Sequence, residues 1–178
     1  YEISLGLVGS EMCIRDRGTI ENLKVLIRKG EIGSVMNVTE PEVVNELQEI
    51  ACKQSRTGIP LVFTRDVVHG FKTMLPIPLG QAATFHPELI QEGARIAAIE
   101  ATEHGVRWSF APMIDISRDA RWGRIAESFG EDTYLTEQMA VAVVNGFQGD
   151  DLSNPQSMAA CAKHFIGYGA VELSLIHI

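Results

Sequence analysis

Residues 106–116 read VRWSFAPMIDI, and the chain continues through 117–124 as SRDARWGR. An apolar run of this length, giving way to acid and arginine where it ends, is the pattern of a strand buried on both faces with polar residues at its C-terminal end. The same switch occurs at three other places. On the N-terminal side, 60–64 (PLVFT) closes on Arg65 and Asp66, and 32–38 (IGSVMNV) runs out at Asn37 and Thr39. On the C-terminal side, 158–165 (MAACAKHF) carries Lys163 and His164. Four strands are therefore expected, centred near Val35, Val62, Phe110 and Ala160.

Helical periodicity fills the intervals. Thr39 with Glu42 three residues on has the form of a capping box, and Pro41 falls in a first turn that needs no N–H. Val43, Leu47, Ile50 and Ala51 then form one apolar face. Pro87 opens a second helix with Leu89, Ile90, Gly93, Ile96 and Ala97 inside; Leu135, Met139, Val143 and Phe147 mark a third. The stretch with Pro76, Pro78 and Gly80 reads as a loop. Strands alternating with helices predict an α/β fold with a parallel sheet. Four such units predict the first half of a TIM-like (β/α)8 barrel, truncated, because a complete barrel takes about 250 residues. Barrel enzymes build their sites from the loops after the strands, so the polar residues there are the candidates.

Composition removes several classes of function. Fifteen Lys and Arg against 23 Asp and Glu give a net charge of −8, which argues against nucleic acid as a partner. No apolar run approaches the ~20 residues that span a bilayer, so no membrane partner is expected. Cys13, Cys52 and Cys161 lack the spacing of a zinc or disulfide framework, and Cys52 and Cys161 read as small buried hydrophobes. No HxH or HxxE pattern supports a metal site. Residues 1–17 (YEISLGLVGSEMCIRDR) and 173–178 (LSLIHI) join no neighbouring periodicity. They read as a non-native leader and tail around a body at 18–172, and the leader lacks the basic start of a secretory signal.

At the strand ends the polar groups are Asn37, Arg65, Asp66, His69, Asp115, the 117–124 loop, Lys163 and His164. A carboxylate among cationic donors suits a ligand dense in hydroxyls, since carboxylates accept from them and Arg, Lys and His donate to their oxygens. It suits a phosphate or carboxylate ligand equally well; spacing does not choose. Each residue also has a plainer reading. Asp66 pairs with Arg65 or caps a turn, and His69 shapes its loop. Arg118 and Arg121 pair with Asp119, Glu127, Glu131 or Asp132. Asp115 holds the following loop, and Trp108 is core. Trp122 either stacks on a ligand or packs inside.

The tracts DVVHG (66–70), SRDARWGRIAESFGED (117–132) and AKHFIGYGAVE (162–172) resemble the first half of the N-terminal barrel of glycoside hydrolase family 3, the bacterial β-glucosidases above all. The resemblance runs in order from about residue 23 to residue 172. It implies that Asp66, Arg124, Lys163 and His164 bind the glucosyl ring of the innermost subsite; His69 and Trp122 are further candidate contacts from their own places in the loops, not from the resemblance. It implies a retaining, exo-acting β-glucosidase acting on terminal β-D-glucosyl residues of gluco-oligosaccharides, with no cofactor. The nucleophile and acid/base of that mechanism lie on a later strand and a following domain or loop, so no catalytic carboxylate is expected in this chain. Bacterial members are often periplasmic, a location on which the first residues here are silent. Tyr168 stands near the second histidine of the family's hexosaminidase branch and lowers that reading. A β-xylosidase or other exo-glycosidase of the family, and a non-catalytic sugar-binding module, are the alternatives.

Lys163 and His164 set a geometric condition. Neighbours on a regular strand point to opposite faces, so both reach one ligand only if the backbone departs from regular β geometry just after Ala162.

Overall fold

The computed structural model describes residues 17–165 and 167–170. The expected tail, nearly all of the leader and Glu172 fall outside them. The chain divides into two compact units: residues up to Arg65 together with His104–Arg107, and Asp66–Glu103 together with the chain from Trp108 on.

In the first unit, α1 (Arg17–Lys29), β1 (Ser34–Met36), α2 (Pro41–Gln54) and β2 (Val62–Arg65) follow in order. The two strands pair in parallel, with Ser34 opposite Val62 and Met36 opposite Thr64. Leu23 and Ile27 of α1, Val44, Leu47, Ile50 and Ala51 of α2, and Val35 and Phe63 of the strands close one apolar core. Helix α1 carries no clear start signal in the sequence. Gln48 links α2 to the chain entering β2: its side-chain amide donates to the Leu61 carbonyl at 2.8 Å, and its oxygen accepts from the Leu61 N–H at 2.9 Å.

Three expectations are corrected in this unit. The N-cap of α2 is Glu40, with no side-chain cap, because its carboxylate turns back to accept from the Thr39 N–H. Cys52 is exposed; it lies one step, about 100°, around the helix from the buried Ala51. The strands are not buried on both faces, since Phe63 is 1% exposed but Val62 is 41% exposed.

The second unit holds α3 (Pro78–Ala82), α4 (Pro87–Glu103), β3 (Trp108–Ser109), a 3₁₀ turn at Ile125–Glu127, and α5 (Thr133–Gln148). Asp132 caps α5 by accepting from the Leu135 N–H at 2.7 Å. The helices α4 and α5 pack through small residues: a Cβ placed on Gly146 would lie 2.5 Å from the Gln91 carbonyl oxygen and 2.6 Å from Ala94 Cβ. The buried face of α4 is Ile90, Ala94, Ala97, Ala98, Ala101 and Thr102, so Leu89 and Ile96, expected inside, are exposed. A close helix crossing selects alanine, and the larger aliphatic groups turn outward. Helix α3 forms where a loop was expected, with Pro78 in its first turn.

The long strands expected at 106–116 and 158–165 are only briefly regular. β3 covers two residues, and pairing continues as isolated parallel bridges, Trp108 to Ala159 and Met113 to Lys163. The ladder holds through Cys161 N–H to Ala111 O at 2.9 Å and Lys163 N–H to Pro112 O at 3.0 Å. Pro112 has no N–H to donate, which interrupts a regular strand there. Trp108 is 37% exposed, not core, with its ring 5.2 Å from that of Phe110. The architecture is α/β with parallel pairing, the class the sequence predicts.

Candidate functional site

All four principal candidates fall in the second unit, drawn from three separated tracts. Asp66 is the residue directly after β2. Its Oδ1 accepts from Lys163 Nζ at 2.7 Å, a pair with 39% and 17% side-chain exposure. Lys163 is fixed by its backbone, whose N–H and carbonyl both join the ladder opposite Pro112 and Ile114. The next peptide bond, Lys163–His164, is cis. The departure from regular β geometry expected after Ala162 takes this form.

His164 is held from two sides. Asp115, 5% exposed, places Oδ2 3.1 Å from the His164 backbone N and 2.7 Å from ring Nδ1. On the opposite side of the ring, Nε2 lies 3.3 Å from Arg124 Nη1. Arg124 is anchored in turn by Glu127, to which Nε and Nη2 each donate at 2.6 Å. The 3₁₀ turn that follows Arg124 sets this bidentate pair. Tyr168 leans on the same group: its ring centroid is 4.7 Å from that of His164 and 5.4 Å from the Arg124 guanidinium carbon.

The cluster thus contains the cations Lys163 and Arg124 interleaved with the carboxylates of Asp66, Asp115 and Glu127. The Arg124 guanidinium holds the Glu127 carboxyl below the usual carboxylate range, and Glu127 in return raises Arg124. The Lys163–Asp66 pair is partly open, so each partner has hydrogen-bonding capacity left for a hydroxyl. A hollow of about 340 Å³ adjoins His164 and Asp115, with Arg118 and Gly169 on its wall. A second hollow of about 800 Å³ lies along α4 and α5. Its one arginine, Arg95, donates to the carbonyls of Gly146 and Gln156, and it contains none of the candidate groups.

The other candidates take plainer places. His69 Nδ1 lies 2.9 Å from the Leu75 carbonyl oxygen, and the Leu75 N–H donates to the His69 carbonyl at 2.8 Å; this histidine braces its own loop. Trp122 is 2% exposed, with Tyr168 edge-on at 5.6 Å, so its ring has no open face to stack on a sugar. Arg121 pairs with Asp119 as expected, and holds that carboxyl down to about 2. Asp66 pairs with Lys163 where Arg65 was the plainer expectation. Glu127, expected against Arg118 or Arg121, pairs with Arg124. Its i,i+3 spacing was the available signal. The Asp115–His164 contact spans 49 positions and has no local signature. Among the described residues no group of three His, Cys, Asp or Glu side chains could hold a metal ion, and no helix is long and apolar enough to cross a membrane.

The chain matches the glycosyl hydrolase family 3 N-terminal domain over residues 9–174. It is 41% identical over 152 residues to a periplasmic β-glucosidase of Salmonella typhimurium, covering 85% of this chain and 20% of that protein. It is 41% identical over 133 residues to a putative β-xylosidase of Formosa agariphila, covering 71% of this chain and 18% of that one. A crystal structure of a Listeria innocua β-glucosidase in complex with glucose superimposes with a TM-score of 0.76 at 44% identity, over 80% of this chain and 20% of that structure. The chain thus spans about a fifth of the length of these relatives.

Proposed function

The chain belongs to glycosyl hydrolase family 3 through its N-terminal domain, and on that premise we propose that it supplies the sugar-holding part of a retaining, exo-acting β-glucosidase. The ligand is a terminal β-D-glucosyl residue. Asp66, Lys163, His164 and Arg124 surround one pyranose, and residues 18–172 are the part of the barrel domain that carries them. One observation carries this reading: an acid, a guanidinium and an adjacent lysine–histidine pair, from three tracts spread over about a hundred residues, are linked into one network by Lys163–Asp66 and Arg124–His164. Such an alternation of donors and acceptors matches neighbouring ring hydroxyls, each of which both gives and takes a hydrogen bond.

The three carboxylates of the cluster are each engaged by a neighbouring cation or imidazole. A retaining mechanism needs two more, roughly 5–5.5 Å apart, one as nucleophile and one as acid/base. We assign both to the remaining length of the protein, so that the 178-residue chain binds sugar without cleaving it. A β-xylosidase is the second reading, favoured by the Formosa relative.

Competition between glucose, xylose and inorganic phosphate for the chain tests the proposal. Displacement of labelled glucose by glucose but not by phosphate supports it. Tighter binding of xylose, which lacks the hydroxymethyl group, selects the xylosidase reading. Displacement by phosphate alone replaces both with an anion site.

A further inference from the structure

His164 sits between a group that only accepts and a group that only donates. Asp115 Oδ2 is 2.7 Å from Nδ1 and also takes the backbone N–H of the same residue at 3.1 Å. An ionised carboxylate has no hydrogen to give, so the Nδ1 contact is a hydrogen bond only when Nδ1 carries the proton. Arg124 Nη1 is 3.3 Å from Nε2. A guanidinium has no lone pair to offer, so the Nε2 contact is a hydrogen bond only when Nε2 carries the lone pair. Two independent constraints on opposite sides of the ring select the same tautomer.

The groups around the ring agree with that choice. Glu127 engages Arg124 through Nε and Nη2, which leaves Nη1 as the edge directed at His164. Tyr168 packs its ring against the imidazole at 67° and fixes its plane without competing for either nitrogen. Gly169 brings the backbone against the Asp115 side chain so closely that a Cβ there would lie 3.2 Å from Asp115 Cβ. Asp115 is 5% exposed, and its Oδ2 meets both the backbone N–H and the ring Nδ1 of His164, which leaves it little freedom to turn away.

We infer that Asp115 is a positioning residue: it fixes His164 as the Nδ1–H tautomer, so that the Nε2 lone pair, which accepts from Arg124 here, passes to a ligand hydroxyl when the guanidinium turns to the sugar. This rests on the proposal that His164 faces a sugar. It adds a directional rule: at the ring position facing His164, the ligand must donate a hydrogen. A hydroxyl meets that rule, and fluorine or hydrogen there does not. With Lys163 and Arg124 as obligate donors, His164 and Asp66 are the acceptors of the cluster, and the rule separates hydroxylated sugars from their deoxy and fluoro analogues.

The tautomer is read directly from nitrogen chemical shifts of the ¹⁵N-histidine-labelled chain, with His164 identified by the signal missing in His164→Asn. The expected spectrum shows a protonated Nδ1 and a bare Nε2; a protonated Nε2 overturns the inference without touching the sugar-binding proposal. Asp115→Asn keeps an oxygen where both N–H groups meet and should retain the tautomer, whereas Asp115→Ala leaves only the longer Arg124 contact at 3.3 Å, so the Nδ1–H share should fall and glucose bind about tenfold more weakly. An unchanged tautomer in a folded Asp115→Ala chain overturns the role of Asp115. In the wild-type chain, monodeoxy and monofluoro glucoses at the facing position should lose affinity equally. Retention by the fluoro sugar alone overturns the acceptor assignment, and failure of every glucose analogue to shift His164 removes the sugar-binding proposal while leaving the tautomer result standing.

Discussion

Lys163 Nζ and Asp66 Oδ1 meet at 2.7 Å across 97 positions of chain. The contact joins the residue after β2 to the segment that pairs beside Met113 and Ile114. A charge pair with 39% exposure on its acidic side adds little to stability. Its value lies in holding a donor and an acceptor ready side by side. Asp66→Ala should therefore melt within a few degrees of wild type, yet bind glucose about tenfold to a hundredfold more weakly, as the loss of a hydrogen bond to a charged group does. Arg121→Ala, which breaks only the exposed pair with Asp119, should leave glucose affinity unchanged. Titration calorimetry on the three proteins checks both statements, and equal affinity for Asp66→Ala and wild type refutes the first.

Glu127 makes stability depend on acidity in a defined direction. Arg124 holds its carboxyl below the ordinary 4.5. A folded-state value lower than the unfolded one stabilises the fold fully above that ordinary value, and the contribution fades as pH falls through the folded one. At neutral pH, Glu127→Gln should cost on the order of 1 kcal/mol, since side-chain exposures of 21% and 31% leave the pair partly screened. The difference should close as pH drops below 4.5. Urea unfolding of both proteins at a series of pH values measures it; a gap that widens in acid contradicts the assignment.

Gly146 should be intolerant of a single methyl. A Cβ would meet the Gln91 carbonyl at 2.5 Å, and backbone cannot step aside as a side chain can. Gly146→Ala should lose about 1–3 kcal/mol, the usual cost of overpacking. Gly33→Ala, with nothing within 4 Å, serves as the control that should not. Thermal melts of the two variants decide the comparison.

Trp122 supports the site by packing, not by stacking. Being 2% exposed, Trp122→Ala should cost about 3–5 kcal/mol of stability, while Trp122→Phe should keep glucose affinity because the ring contacts Tyr168 and not the ligand. A loss of affinity without loss of stability would restore the stacking role.

Much of this was legible in the sequence, for identifiable reasons. Helices α2, α4 and α5 announce themselves by apolar spacing, the first two also by Pro41 and Pro87 at their starts, and β1 and β2 by short apolar runs ending in polar residues. Apolar spacing places the inner face of α4 on Leu89 and Ile96 because they outweigh alanines in any apolar count, whereas the crossing at Gly146 admits only small side chains. The four site candidates could be named, but the network between them could not. Asp115 and His164 meet through pairing of irregular segments that leave no periodic trace. Tyr168 enters through a turn after His164 whose path the sequence does not specify.

Whether four side chains enclose one pyranose is visible in a crystal structure of this chain grown with glucose. A single glucose is expected there, with its hydroxyls within hydrogen-bond distance of Asp66, Lys163, His164 and Arg124. Glucose bound elsewhere, for example in the hollow beside Arg95, with those four groups still closed on one another, would contradict it.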